Sequence, residues 1–471
     1  TGQSTYTGPT VVSSGTLEVQ GVLHNSHITI QDGAALIGGR GSFPAGVTDL
    51  SGAFDPDEQW SGGGNTNNSG NWSETSNWFD GVKPGPSDVA LLGPVTGQGG
   101  NGTDTRTVTV DETTEIAELK LVTSTLDPYT NRLVVDEDLT ITGQVHEAQN
   151  ATIAVATDAT LRINDAAFSK IELEGDGSIV STGAVYFPED QSVTRDAYTG
   201  TWTVESGELN TSGRQNHLKN ANVVVESGAM YKHSRMNFGQ RYDVGELVTL
   251  KDGGNLYFTG FSKWNGSPRD DGAGYDFPSL TDIALDSGMA TWRWTPDGIY
   301  KNSGPGSFFL QHTGVISGDG GINIETWAAN SSGLTPTITL AAANTYTGPT
   351  AVVEGILQVT GSLANSNITI EEGGTLKGGS GTLHFNVSES EQDLIVVDEG
   401  GELEATNLTL NFAGTFPGSS FVIADYSAGG LLTGEFLDVT GMPEGWYVTY
   451  GDSEDPFVRA MVVPEPATLT L

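Results

Sequence analysis

The residues with the widest chemical reach lie in "RQNHLKNANVVVESGAMYKHSRMNFGQR", 214 to 241. Arg214, Lys219, Lys232, Arg235 and Arg241, a quarter of the 20 Lys and Arg, lie here with His217 and His233, and Glu226 is the only acid. Such a patch suits an anionic partner, either a polysaccharide or the acidic surface of another subunit. Acid–base chemistry needs a carboxylate beside the cation, and the segment supplies no pair. The seven histidines make no His-x-His or His-Glu-x-x-His pattern, so zinc is not indicated. No Gly-x-Ser-x-Gly elbow or phosphate loop stands between a strand and a helix. Trp60, Trp72 and Trp78, and Trp292 with Trp294, offer rings that stack on sugars. The alternation in "TWRWT" puts the last two on one strand face, and core packing is the better reading of all five.

The chain around these residues is acidic. Lys plus Arg number 20 against 59 Asp plus Glu, a formal charge of −39 over 471 residues. That surface repels nucleic acid and anionic membranes. Its carboxylates are competent to bind Ca²⁺, but no EF-hand loop or Gly-Asp nonapeptide repeat is present, so no cofactor is expected beyond the Ca²⁺ that composition leaves open. With no cysteine, the fold is held by burial and backbone ladders. No apolar run reaches about 18 residues, so no membrane span is expected. A start at Thr1 without Met or signal peptide reads as a processed form.

An internal repeat then sets the architecture. Residues 4 to 43, "STYTGPTVVSSGTLEVQGVLHNSHITIQDGAALIGGRGSF", align without a gap on 344 to 383, "NTYTGPTAVVEGILQVTGSLANSNITIEEGGTLKGGSGTL", with 22 of 40 positions identical. Leu17, Val19, Ile28, Ile30 and Leu36 alternate with polar residues, as do Leu357, Val359, Ile368, Ile370 and Leu376, the period of a strand. Gly8-Pro9, Gly15, Gly21, Gly33 and Gly38-Gly39 mark the turns. Short strands with single-glycine corners and no intervening helix suit stacked parallel coils of about 20–25 residues. The fold class expected is all-β, a parallel β-helix with loop insertions and a C-terminal antiparallel hairpin region.

The second copy, with "GVISGDGGI" (Gly314 to Ile322) before it, resembles the autotransporter-associated β-strand repeat of bacterial surface passengers. The resemblance implies a right-handed β-solenoid exported from the cell, extracellular or at the cell surface. "VVPEPATLTL", 462 to 471, resembles the opening of the PEP-CTERM sorting signal, which would place Pro464, Glu465 and Pro466 in a recognised motif. The apolar helix and basic tail of that signal are absent from the sequence. "GNWSETSNWFDGVKPGPSDVALL", 70 to 92, is similar to the Trp-containing segment of such envelope proteins.

These readings divide the chain into an N-terminal repeat (1–45), a loop insertion (46–70), a solenoid body with insertions (71–335), the second repeat (336–400), a C-terminal β-region (401–463) and a tail (464–471). "TITL", 337 to 340, precedes the second repeat, and "TLTL", 468 to 471, placed before Thr1 restores the same text. The tail of one molecule is therefore expected to complete the first coil of the next. Thr468, Leu469, Thr470 and Leu471 would meet Thr1, Gly2, Gln3, Ser4, Thr5 and Tyr6. Leu469 and Leu471 would enter the core beneath Leu17 and Val19, with the threonines outward. Repetition of that contact builds a fibre. The function expected is a non-enzymatic structural subunit of an extracellular filament or surface layer, its partners being further copies of itself and extracellular polysaccharide. The alternatives are a monomeric glycan-binding adhesin and a polysaccharide lyase or hydrolase, the β-helix lyases being similar in architecture and using a basic residue beside Ca²⁺-holding carboxylates.

Overall fold

In a computed structural model of the chain, the residues described before 69 are the strand backbones at 3–4, 10–12, 15–19, 22–23, 28–30, 34–38 and 47–49, together with Trp60. Beyond that point they are 69–78, 81–92, 105–121, 130–147, 151–168, 170–187, 195, 197–212, 217–236, 245–261, 275–279, 281–295, 308–326, 336–364, 367–388, 392–452 and 454–463. Among these residues every regular element is a strand except the 3-10 turn Thr75–Asn77. The fold is all-β, and nearly all of its strand pairs are parallel.

The chain divides into two compact units, 1–151 and 152–471. In the first, three short parallel ladders carry the N-terminal repeat: Gln3–Ser4 on Val22–Leu23, Thr10–Val12 on Ile28–Ile30, and Gly15–Val19 on Ala34–Gly38. Val47–Asp49 adds to the second of these, so the stretch expected as a loop from 46 to 70 begins with a further strand. Its Val-Thr-Asp continues the β-branched alternation, which outweighs the Gly and Pro around it. The other end of that stretch is structured too. Trp60 is fully buried, bridges Trp78 and crosses its ring edge-on, centroids 5.1 Å apart. Trp72 packs on Trp78 at 4.7 Å and accepts the Trp78 indole N–H at its carbonyl, 2.9 Å.

The second unit stacks strands in three ladders, which the chain visits in fixed order. The first runs through Thr201–Val204, Asn222–Val225, Leu247–Leu250, Asp282–Leu285 and Ile316–Gly318. It is joined to Ala343–Asn344 by backbone bonds at Thr345, then runs on through Ser362–Leu363, Thr382–Val387, Thr409–Gly414 and Asp438–Thr440. The second takes Glu208–Ser212, Met230–Met236, Asn255–Phe261, Met289–Thr295 and Gly321–Thr326. It then takes the first residues of Thr350–Val359, Ile368–Ile370, Ile395–Val397 and Ser420–Asp425. The third takes Tyr275–Ser279, Phe308–His312, Thr337–Leu340, the last residues of Thr350–Val359, Gly374–Gly378, Glu402–Glu404 and Leu431–Thr433.

Successive partners lie from 18 residues apart (Thr350 and Ile368) to 36 (Asn255 and Thr291), wider than the 20–25 expected. Insertions between strands account for the spread: the ladder register is kept while the connections vary, since loop closure costs little per added residue. Alternate residues of each strand are buried, so Val223, Val248, Ile283 and Ile316 pile on one another at 1% exposure or less.

The C-terminal region departs from the hairpins expected there. Leu431–Thr433 and Asp438–Thr440 still pair in parallel, and only Trp446–Tyr450 and Phe457–Val462 turn back, the latter antiparallel to Ser420–Asp425. The hairpin covers the end of the second ladder with Trp446 against Phe416 and Phe421.

Candidate functional site: the repeat strand and the basic segment

The repeat explains itself at its corner. Asn344, 1% exposed, accepts the Ile316 N–H at its side-chain oxygen (2.9 Å) and donates to the carbonyls of Ala342 and Ser362, both at 3.1 Å. One side chain thus ties three coils and satisfies backbone groups that a turn leaves open. The Tyr346 and Thr350 hydroxyls share a hydrogen bond at 2.5 Å in the buried interior. Gly348 lies on Gly320 so closely that a Cβ would overlap its backbone. This is the physical content of "NTYTGPT". In the N-terminal copy Ser4 stands where Asn344 stands, with Tyr6, Gly8 and Thr10 following in register.

Thr337–Leu340 is paired on both edges, in register with Phe309–His312 on one side and Ile356–Val359 on the other. All four residues are buried. Ile338 and Leu340 are at 0% exposure, while Thr337 and Thr339, which stand in the text where the tail has Thr468 and Thr470, are covered at 4% and 5%, and Thr339 donates to Gln358 at 3.2 Å. Of the proposed interface residues, Gln3 and Ser4 lie on a strand paired with Val22 and Leu23 of the same chain, and Leu17 and Val19 on one paired with Leu36 and Gly38. Thr1, Gly2, Thr5, Tyr6, the motif Pro464, Glu465 and Pro466, and Thr468 to Leu471 lie outside the described residues.

Among the basic side chains of this segment, the structure describes the two histidines, Lys219 and Lys232, and the histidines are not on its surface. His217 and His233 are buried at 3% and 2% exposure. His217 accepts a hydrogen bond from Arg195 at Nδ1 (2.7 Å), and both groups lie against the Phe187 ring, the guanidinium 4.7 Å from its centroid. Arg195 is itself 1% exposed and also donates to the Phe168 carbonyl. His233 hydrogen-bonds Thr211 at 2.9 Å. Burial, with His217 nearby, pushes its pKa down to about 3, so it is neutral at pH 7. His233 takes an inward position because "YKH" continues the alternation that begins at buried Tyr231. Lys232 keeps its outward position, 3.4 Å from Glu208 on the adjacent strand and over the Tyr257 ring. That carboxylate is 24 residues away in sequence, which is why no acid was visible beside the patch. Lys219 is partly exposed; Arg214, Arg241 and the Arg235 side chain lie outside the described residues.

The tryptophans are core residues. Trp292 and Trp294 are at 0% and 1% exposure, and Trp292 meets the His312 ring edge-on at 5.0 Å. Neither His312 nitrogen nor the Trp292 indole nitrogen has a hydrogen-bond partner among the described residues. Burial holds His312 near pKa 4 despite an upward pull from Asp282. The described residues bring together no group of three His, Asp or Glu able to hold a metal ion.

Two segments match a family model described as the passenger-associated-transport-repeat, 1–19 and 337–359. The chain therefore carries autotransporter-associated repeats on an all-β, parallel-strand framework. The second match takes in the doubly paired strand Thr337–Leu340. No curated protein matches the chain.

Proposed function

We propose that this chain is a passenger-like, exported structural protein, wound as a right-handed parallel β-helix, whose subunits join head to tail outside the cell. The observation that carries the reading is the pairing of Thr337–Leu340 along Ile356–Val359, the residues equivalent to Thr16–Val19. Thr468–Leu471 repeats the pattern of that strand, and Gly15–Val19 has one strand partner among the described residues, on the side of Ala34–Gly38. A tail strand from another copy would pair along the remaining edge. Backbone bonds supply the affinity, and Leu469 and Leu471 fill inward positions.

The function proposed is not catalytic. The histidines nearest to the basic segment are buried, out of reach of a polymer, and the tryptophans that a glycan-binding adhesin would use for stacking are core residues. Sedimentation velocity on the full chain and on a chain lacking Pro466 to Leu471 tests the donation. The full chain is expected to give a concentration-dependent series of oligomers and the shortened one a single slow species; identical distributions overturn it.

A further inference from the structure

Among the described residues, no strand stacks on Leu431–Thr433 or Asp438–Thr440, the ends of the third and first ladders. Leu403, Leu408 and Leu410 are all at 0% exposure, and their partners one coil on are Leu432, Leu437 and Val439. Leu437 is 63% exposed; Leu432 and Val439 are half-buried. The antiparallel hairpin pairs its strands only with Ser420–Asp425 and with each other among the described residues, and beyond that ladder it reaches Phe436, whose N–H the Tyr450 hydroxyl accepts at 2.9 Å. On the third, Leu431 donates to the Gly401 carbonyl at 2.9 Å and Thr433 accepts from Ala405 at 2.8 Å. Alternate residues of a parallel strand serve opposite neighbours, so the N–H and C=O of Leu432 point away from the molecule's own ladder. On the first, Leu437 donates to Leu408 at 2.8 Å, which turns the backbone groups of Asp438 and Thr440 outward in the same way.

An edge of this kind, parallel, apolar beneath and unpaired, is a template for one more coil. We infer that it is the docking surface for the N-terminal repeat of a second copy of this chain, an inference that rests on the head-to-tail reading above. Two features select that occupant. The internal repeat takes a preceding coil on its leading edge, at Thr345 on the first ladder and through Ile356–Val359 on the third, so its N-terminal counterpart has the polarity that continues these two ladders. Residues 1–45 also carry only Glu18, Asp32 and Arg40, a net −1 of the chain's −39, and so meet the acidic end at Glu435 and Asp438 with little repulsion. On this arrangement the donated tail lies between Leu431–Thr433 of its own chain and Gly15–Val19 of the next, as Thr337–Leu340 lies between its two neighbours. Asp438–Thr440 faces Gln3–Ser4.

Leu432→Pro removes one outward N–H while the edge strand retains its inner bonds, and Leu437→Lys charges the uncovered core without touching a buried group. Each full-length variant is compared with the parent and with the chain lacking Pro466 to Leu471, by sedimentation velocity over a concentration series and by thermal melting. Both variants are expected to melt like the parent and to need roughly tenfold more protein to assemble. Parent-like assembly of Leu437→Lys, whose fold is not at risk, overturns the inference. If in addition the tail deletion abolishes assembly, tail donation stands without this surface; if the tail deletion assembles normally and the edge variants do not, the surface stands and tail donation falls. A parent that stays monomeric throughout overturns both.

Discussion

His312 and Gly348 carry opposite kinds of constraint. His312 is an imidazole inside the core, at 0% exposure, held near pKa 4 by burial. Unfolded, it titrates near 6.5, so its contribution to stability is full above that value and is lost as pH falls toward 4, by up to about 1.4 kcal/mol per unit. His233, pushed to about 3, acts in the same direction over a window that runs on from about 6.5 down to 3. Urea titrations of the parent and of His312→Leu, at pH 7.5 and 5, are expected to show a smaller acid loss in the variant. Gly348 is constrained by space: Gly348→Ala must displace the Gly320 backbone, and an equilibrium melt is expected to register about 1–3 kcal/mol of destabilisation. The glycine was legible, because both repeat copies place it before proline in the same string. The histidines were not. In "MYKHSRM" the basic and aromatic residues look like a surface patch, and only the burial of Tyr231 beneath Phe258's coil fixes which alternate positions turn inward.

Among the elements, the strands follow from alternation of β-branched and leucine residues, and the corners from glycine. Gly373 adopts φ 81° and Gly400 φ 79°, and Gly373 donates to the Gly400 carbonyl at 3.2 Å, so one corner stacks on the next. Glu371 and Glu372 precede the first glycine, Asp398 and Glu399 the second, which sets like charges side by side. Glu372→Lys is expected to raise the melting temperature by roughly 1–2 °C at 20 mM salt, with the gain lost near 0.5 M; an equal gain at both would mean that charge is not its cause. Core substitution costs more. Ile283→Ala, between Val248 and Ile316, is expected to lose about 2–5 kcal/mol in denaturant titrations. Strand periodicity made this much readable, and the second repeat fell where the alignment put it. The strand at Val47–Asp49 was obscured by the Pro- and Gly-rich sequence around it. The persistence of parallel pairing through Asp438–Thr440 was obscured by a Gly-rich stretch that reads equally well as hairpin turns.

For the whole molecule the governing quantity is charge against ladder pairing. With −39 distributed over the chain, subunits repel at low ionic strength, and the contacts proposed to join them are backbone bonds and a few leucines. Raising NaCl from 20 to 300 mM is expected to lengthen or bundle the assemblies seen by light scattering, through screening of carboxylates. The joint proposed here was read from the sequence, where "TITL" and "TLTL" stand in equivalent text. The exposed trailing coil was not legible, because Leu432 and Leu437 differ from the buried Leu403 and Leu408 only in having no strand stacked on them among the described residues. The most direct measurement is negative-stain electron microscopy of the purified full-length chain at neutral pH and 150 mM salt. Head-to-tail union predicts unbranched filaments one subunit wide. Isolated particles of uniform size at every concentration would contradict it.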